Sequence, residues 1–199
     1  MTGHEVRYRP EQERDHAAVR ELHARAFGYP DRVPDLVDAL RAAPAPLAPV
    51  SLVATVDDTD GDRVVGHVML SGCRLDALER LVAVYSLSPL GVLPEFQRSG
   101  IGTALIGHAL SAAEAQGVPL VFLEGAPDYH GPRGFDDAER LGFRPPSLRN
   151  VPGAFQVVRL PAYEDWMHGT FVYSDVFWAH DCVGLRGEQL RAAQQAGDR

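Results

Sequence analysis

One stretch constrains the chain more than any other: Leu90-Gly91-Val92-Leu93-Pro94-Glu95-Phe96-Gln97-Arg98-Ser99-Gly100-Ile101-Gly102-Thr103-Ala104-Leu105. A strand-like run ends near Leu93, a tight loop follows, and the glycines at 100 and 102 open a helix. The first turn of a helix has four backbone N–H groups without intrahelical partners and carries about half a positive charge. Glycine has no Cβ, so an anion can approach that backbone to hydrogen-bonding distance. Arg98 adds a positive charge at the rim. The segment therefore reads either as a phosphate or diphosphate cradle or as a plain strand–helix connection. It is not a Walker loop, because Thr103 stands where the lysine belongs. Nor is it a dinucleotide fingerprint, because Leu105 stands where the third glycine belongs.

The flanks supply the rest of an α/β layout. Val6-Arg7-Tyr8 alternates like a short strand. From Glu11 the pattern turns helical, with Val19, Leu22, His23, Ala26 and Phe27 on one stripe before Gly28-Tyr29-Pro30. A second helix is expected after Pro34, burying Leu36, Val37 and Leu40. Residues 42–50 read as a packed, proline-bearing loop. Ser51–Val56 and Val64–Leu70, separated by Asp57–Asp62, read as a hairpin whose second strand can run on to Leu75. Val84–Leu93 is a further strand, with a bulge or splayed edge expected at Pro89 because proline donates no ladder hydrogen bond. Gly102–Gln116 is the clearest helix, with Gly117 as its cap. Leu120–Leu123 reads as a strand buried on both faces, Asp136–Leu141 as a short helix, and Phe155–Leu160 and Thr170–Tyr173 as closing strands. The expected organisation is one α/β domain over 1–185 and a polar tail over 186–199.

A single domain of 199 residues buries roughly 70% of its unfolded surface and needs no staple. The net charge is −8 and no basic block occurs, so nucleic acid is not an expected partner, and neither is an anionic membrane surface. Met1–Arg7 lacks the apolar run of a signal peptide, and no run of 18 apolar residues occurs; a cytoplasmic protein is expected. Cys73 and Cys182 form no CxxC pair and read as small apolar fillers. His4, His16, His23, His67, His108, His168 and His180 show no metal-ligand spacing; they read as surface or core residues, and no metal is expected.

The pattern V-x-P-x-x-Q-x-x-G-I-G-x-x-L, carried by Val92, Pro94, Gln97, Gly100, Ile101, Gly102 and Leu105, resembles the acyl-CoA-binding motif of the GNAT superfamily of N-acetyltransferases. The order of elements over about residues 5–180 resembles that fold as well. Ser88–Val92 and Gly125–Tyr129 resemble a bacterial, uncharacterised branch of the superfamily. The resemblance implies an α+β fold: a single central mixed, mostly antiparallel sheet with a splayed fourth strand, flanked by helices. It also implies acetyl-CoA as co-substrate, with the pantetheine arm on the backbone of Leu90, Gly91 and Val92. The pyrophosphate would lie on the amides of Arg98, Ser99, Gly100, Ile101, Gly102 and Thr103, and Gln97 stands where the family has Arg or Gln.

Transfer to a primary amine of a small molecule or a protein, by direct attack, needs a base, since an amine of pKa about 10.4 is almost wholly protonated at neutral pH. It also needs an acid for the leaving thiolate. The resemblance implies a tyrosine acid shortly after the fifth strand. Here the loop reads Asp128-Tyr129-His130-Gly131-Pro132-Arg133-Gly134-Phe135, leaving Tyr129 and His130 both open as the acid. Leu141-Gly142-Phe143 comes about seven residues late for the family's pattern. Glu124 is a candidate base, and Ser86 or Ser88 could hold a water instead. Trp166, Trp178, Phe177, Tyr163 and Tyr173 could line an acceptor pocket or fill the core. A non-catalytic acyl-CoA-binding module is the alternative reading on the same fold. An edge strand near the C-terminus could pair across a homodimer.

Overall fold

A computed structural model of the protein describes residues 5–28, 30–43, 45–59, 61–188 and 190–192. Of the expected polar tail, 186–199, residues 189 and 193–199 lie outside them. Among the described residues, strands β1 (Val6–Pro10), β2 (Val50–Asp58), β3 (Gly61–Ala77), β4 (Leu81–Val92), β5 (Leu120–Glu124), β6 (Asp136–Asp137), β7 (Phe155–Arg159) and β8 (Gly169–Val172) alternate with helices. These are α1 (His16–Phe27), α2 (Arg32–Ala42), α3 (Ile101–Ala115), α4 (Pro127–His130) and α5 (Asp175–Ala179). Hydrogen bonding orders the sheet β1-β2-β3-β4-β5-β7-β6, with β8 on β3. The ladders β1–β2, β2–β3, β3–β8, β5–β7 and β6–β7 are antiparallel, whereas β4–β5 is parallel at two positions, Tyr85↔Val121 and Ser86↔Phe122. The ladder between β4 and β5 thus stops at Ser86, six residues before β4 ends.

The contacts gather into two compact units that share β3 and β4. One runs to Ala43 and adds Pro49–Ser71 and Leu87–Ala112; the other holds Gly72–Ser86, the chain from Ala113 onward and the short stretch ending at Ala48. In the first unit, α1 begins where Asp15 accepts the Gln12 amide at 2.8 Å, and it ends at Gly28, whose φ of 70° closes the helix onto Ala24 O. It buries Val19, Leu22 and His23, whereas Phe27 is 41% exposed rather than part of the buried stripe. Helix α2 begins at Arg32, before Pro34, and buries Leu36, Val37 and Leu40 as expected. β3 is buried continuously from Val64 to Cys73, as a strand covered on both faces must be. Alternation sends successive side chains to opposite faces. At Gly66 a Cβ would stand 2.8 Å from Ile101 Cγ2 and 2.9 Å from Leu105 Cδ1, so this glycine seats α3.

In the second unit Phe122, Phe143, Phe155 and Phe171 form the core, with Phe122 and Phe155 stacked at 5.5 Å and Phe122–Phe143 edge-on at 5.2 Å. Each such ring contributes about 1.5–3 kcal/mol of burial. The 45–48 loop is packed: the Tyr85 phenol donates to Ala48 O at 2.7 Å, and a Cβ at Gly72 would lie 2.6 Å from Leu47 O.

The expected helix over Asp136–Leu141 is not there. Asp136 and Asp137 pair with Val157 and Gln156, and the Asp137 carboxylate accepts the amides of Glu139 and Arg140, which turns the chain before a helix can start. β3 extends to Ala77, β4 starts three residues earlier than expected and runs through Pro89, and β8 starts at Gly169. α4 and α5, too short for periodicity to register, were not anticipated.

Candidate active site

β4 delivers the chain into the glycine-rich turn, and the turn is pinned at both ends. Leu93 N donates to Val65 O at 3.0 Å, and the Gln97 side chain reaches back to Val92 O at 3.1 Å. Glu95 accepts from Arg63 at 2.8 Å and Arg25 at 3.0 Å, tying the turn at 94–96 to β3 and α1. Beyond it, φ is +60° at Arg98 and +90° at Gly100, but not at Ser99. Such alternation points consecutive amides into one concavity, the geometry of a backbone anion nest. The left-handed conformation costs a non-glycine residue about 1–2 kcal/mol, so holding Arg98 there is strain stored at one spot. The first amide of the region to bond within the helix is Ala104 N, to Gly100 O at 3.0 Å. Among the described residues the amides of Arg98, Ser99, Gly100, Ile101 and Gly102 donate no hydrogen bond. Positions 97–100 and Thr103 are exposed, while Ile101 and Gly102 are buried. The sequence-predicted residues from Leu90 to Thr103 thus lie in one unit, on one strand–turn–helix corner.

Behind β4 lies a polar line that sequence reasoning missed. His23 Nε2 and His67 Nδ1 are 2.7 Å apart, and His67 Nε2 and Ser51 Oγ 2.8 Å apart. Ser51 Oγ donates to Glu11 Oε2 at 2.6 Å, and Glu11 pairs with Arg41 through both oxygens, at 2.5 and 3.2 Å. Both imidazoles are fully buried. His23 Nδ1 has no partner, and it would lie 2.9 Å from a Cβ placed on Gly91. The sequence held a signal: His23 sits inside the apolar stripe of α1, and His67 inside Val64-Val65-Gly66-His67-Val68-Met69-Leu70. Their partnership, 44 residues apart, leaves no spacing to read.

The other candidates belong to the second unit. Tyr129 is 37% exposed, with the Arg133 guanidinium 3.8 Å from its ring centre and bonded to its carbonyl. His130 packs on Gly125, where a Cβ would meet Nε2 at 2.7 Å, and its Nδ1 has no partner. Burial, aided by Arg133, pushes the His130 imidazole down to about 4, so it is neutral at pH 7. Glu124 accepts the Gly184 amide on Oε2 at 3.1 Å, while Oε1 is buried and unpartnered, as is Ser86 Oγ. Burial raises the Glu124 carboxyl above its ordinary range. Burial and the neighbouring Glu124 and Cys73 raise the Tyr173 phenol well above its own. Tyr173 and Phe177 are core residues, 4.5 Å apart. Trp166 lies at the surface under Arg80, and Trp178 is 42% exposed. Cys73 is buried, and its thiol is pushed up to about 12, which makes it inert. No helix among the described residues is long and apolar enough to cross a membrane.

Residues 7–138 match the family described as "Acetyltransferase (GNAT) domain". An Escherichia coli K12 protein described as uncharacterized N-acetyltransferase YjhQ is 28% identical over 136 residues, 68% of this chain and 72% of the relative. The crystal structure of E. coli GNAT family N-acetyltransferase YhbS in complex with CoA superposes with a TM-score of 0.75 at 25% identity, covering 89% of this chain and 94% of that one. A GNAT family acetyltransferase from Brucella melitensis, in complex with acetyl-CoA, gives 0.67 at 29% identity, covering 88% and 99%. This chain belongs to the GNAT family of N-acetyltransferases.

Proposed function

We propose that the protein moves the acetyl group of acetyl-CoA to a primary amine of a small molecule or protein, by direct attack and without a covalent enzyme intermediate. The observation that carries this reading is the turn over 98–102: alternating φ, five amides that donate no hydrogen bond among the described residues, and the N-terminus of α3 at its back. A diphosphate supplies the oxygens those amides lack, and charge-assisted hydrogen bonds to it are about twice as strong as neutral ones. The two solved relatives that hold CoA or acetyl-CoA support the same ligand here. The backbone of Leu90, Gly91 and Val92, past the last β5 pairing at Ser86, is offered to the pantetheine arm and to the thioester carbonyl, which backbone N–H groups polarise.

The nitrogen attacks the carbonyl carbon, the carbon–sulfur bond breaks, and the thiolate leaves with the electron pair. Tyr129 is the proposed acid for that departure. Burial keeps the His130 imidazole neutral at pH 7, so it has no imidazolium proton to give. The chain's net charge of −8 favours cationic amines in the long-range field. The test is thiol release from acetyl-CoA with a panel of lysine, a lysine-bearing peptide, spermidine and benzylamine, beside calorimetric titration with CoA. Amine-dependent release is expected. CoA binding with no turnover on any amine would make the protein an acyl-CoA-binding module instead.

A further inference from the structure

Glu95 ties the diphosphate turn to two other elements. It takes a guanidinium on each oxygen: Arg63, near the start of β3, on Oε1 at 2.8 Å, and Arg25, in the last turn of α1, on Oε2 at 3.0 Å. Arg63 also lies over the Phe96 ring, 5.4 Å from its centre. All three charged side chains are about two-fifths exposed. One exposed ion pair contributes little, because two long side chains must be ordered for a screened attraction. Here a single carboxylate serves two cations, so its own ordering is spread over two pairs, and those pairs converge on one four-residue turn.

From Phe96 the tie reaches the nest. Phe96 N donates to Leu93 O at 2.8 Å, Gln97 N to Pro94 O at 3.3 Å, and Ser99 Oγ to Phe96 O at 2.5 Å. A hydroxyl has one hydrogen to give. Having given it to Phe96 O, Ser99 has only its backbone amide to offer an anion, so the hydroxyl orients the turn. Ser99 also stands between the two positive-φ residues, Arg98 and Gly100, so a rotation there turns the amides on either side. Resting on the coenzyme A reading above, we propose that Glu95, Arg63, Arg25 and the Ser99 hydroxyl are positioning groups of the cradle, fixing amides 98–102 in their anion-binding arrangement before the coenzyme arrives. A turn ordered in advance loses less freedom on binding, and the difference appears as affinity.

Field and clamp pull in opposite directions at Glu95. A carboxylate beside a diphosphate repels it, so by charge alone Glu95→Gln tightens CoA binding. By loss of the clamp the same substitution weakens it, since two ion pairs go together and five amides lose their common orientation. At Arg63 the two effects share a sign, which makes Glu95 the residue that separates them. Two exposed pairs lost at once amount to about fivefold in Kd.

Backbone 15N relaxation of the full chain without ligand tests the clamp first. In the wild type, amides 98–102 should have order parameters of about 0.85, falling toward about 0.6 in Glu95→Gln and in Ser99→Ala. A turn already mobile in the wild type, or equally rigid in both variants, overturns the proposal. Calorimetry with CoA comes second. Glu95→Gln and Ser99→Ala should each bind about fivefold more weakly, whereas Ser99→Thr, which keeps the hydroxyl, should stay within about twofold of wild type. Arg63→Gln added to Glu95→Gln should cost less than about twofold more, because the pair acts as a unit. Unchanged or tighter binding in Glu95→Gln, no rescue by threonine, or a further fivefold loss from Arg63→Gln overturns the positioning role. Failure of the wild-type protein to bind CoA would instead overturn the acetyl-transfer reading, and the relaxation data would still decide the clamp.

Discussion

Gly100 and Gly107 lie seven residues apart, and at both a methyl group would meet open space. They should respond to the same substitution with opposite signs. Gly107 is in the interior of α3, where Gly→Ala stabilises by about 1 kcal/mol. Gly100 sits at φ +90°, where alanine suffers about 1–2 kcal/mol of left-handed strain. The stiffer unfolded chain returns about 0.4–1 kcal/mol, so the net loss is about 1 kcal/mol. For a domain of this size 1 kcal/mol moves Tm by roughly 2–4 °C. Gly100→Ala should therefore melt about 3 °C lower than wild type and Gly107→Ala about 3 °C higher, read by circular dichroism. Only the first should touch CoA. Relaxing φ at residue 100 turns at least one amide out of the nest, and a hydrogen bond to a charged group contributes about 1.5–3 kcal/mol, or tenfold and more in Kd by calorimetry. If Gly100→Ala melts at or above wild type and binds CoA unchanged, the turn does not hold the conformation described and the cradle argument fails.

Gly102→Asp places a carboxylate against the same amides. One extra charge about 5 Å from a phosphate, at an effective dielectric of about 20, is worth about 3 kcal/mol, so CoA affinity by calorimetry should fall about a hundredfold while the circular dichroism spectrum is kept. Tyr129→Phe should lower kcat in the thiol-release assay at least tenfold with no change in CoA affinity; wild-type turnover would remove Tyr129 as the acid. Stability should also depend on pH through the buried imidazoles. His67 sits near 3 and His23 and His130 are depressed, whereas an unfolded histidine titrates near 6.5. Between those values the unfolded chain binds protons that the native state refuses, so the contribution is complete above about pH 6.5 and is lost as pH falls toward 3. The urea midpoint should drop steadily from pH 7 to 4, and a flat profile would contradict the burial of these rings.

What could be read from the sequence was local. The strand–turn–helix corner declared itself because the two glycines, the proline and the apolar stripe of α3 act within sixteen residues. The long hairpin was equally plain. Asp136–Leu141 misled because its helical composition was overruled by pairing with β7 and by the Asp137 side chain, neither visible from six residues. His130 stood beside Tyr129 as an acid through its place in the loop; its packing on Gly125, which keeps the imidazole neutral at pH 7, has no trace in the sequence. The His23–His67 line was beyond reach for a related reason: two histidines in apolar settings are each read as filling until the fold brings α1 and β3 within 2.7 Å. Arg98 showed its charge in the sequence, but its positive φ did not, since no rule of composition puts arginine in the left-handed region.

If the backbone amides of residues 98–102 receive the diphosphate of coenzyme A, amide NMR of the labelled protein titrated with CoA will register it at those residues. Arg98 through Gly102 should show the largest downfield shifts and become protected from exchange, saturating with a single Kd. If CoA binds while these amides stay unmoved and another segment responds, or if nothing binds, the site has been misplaced.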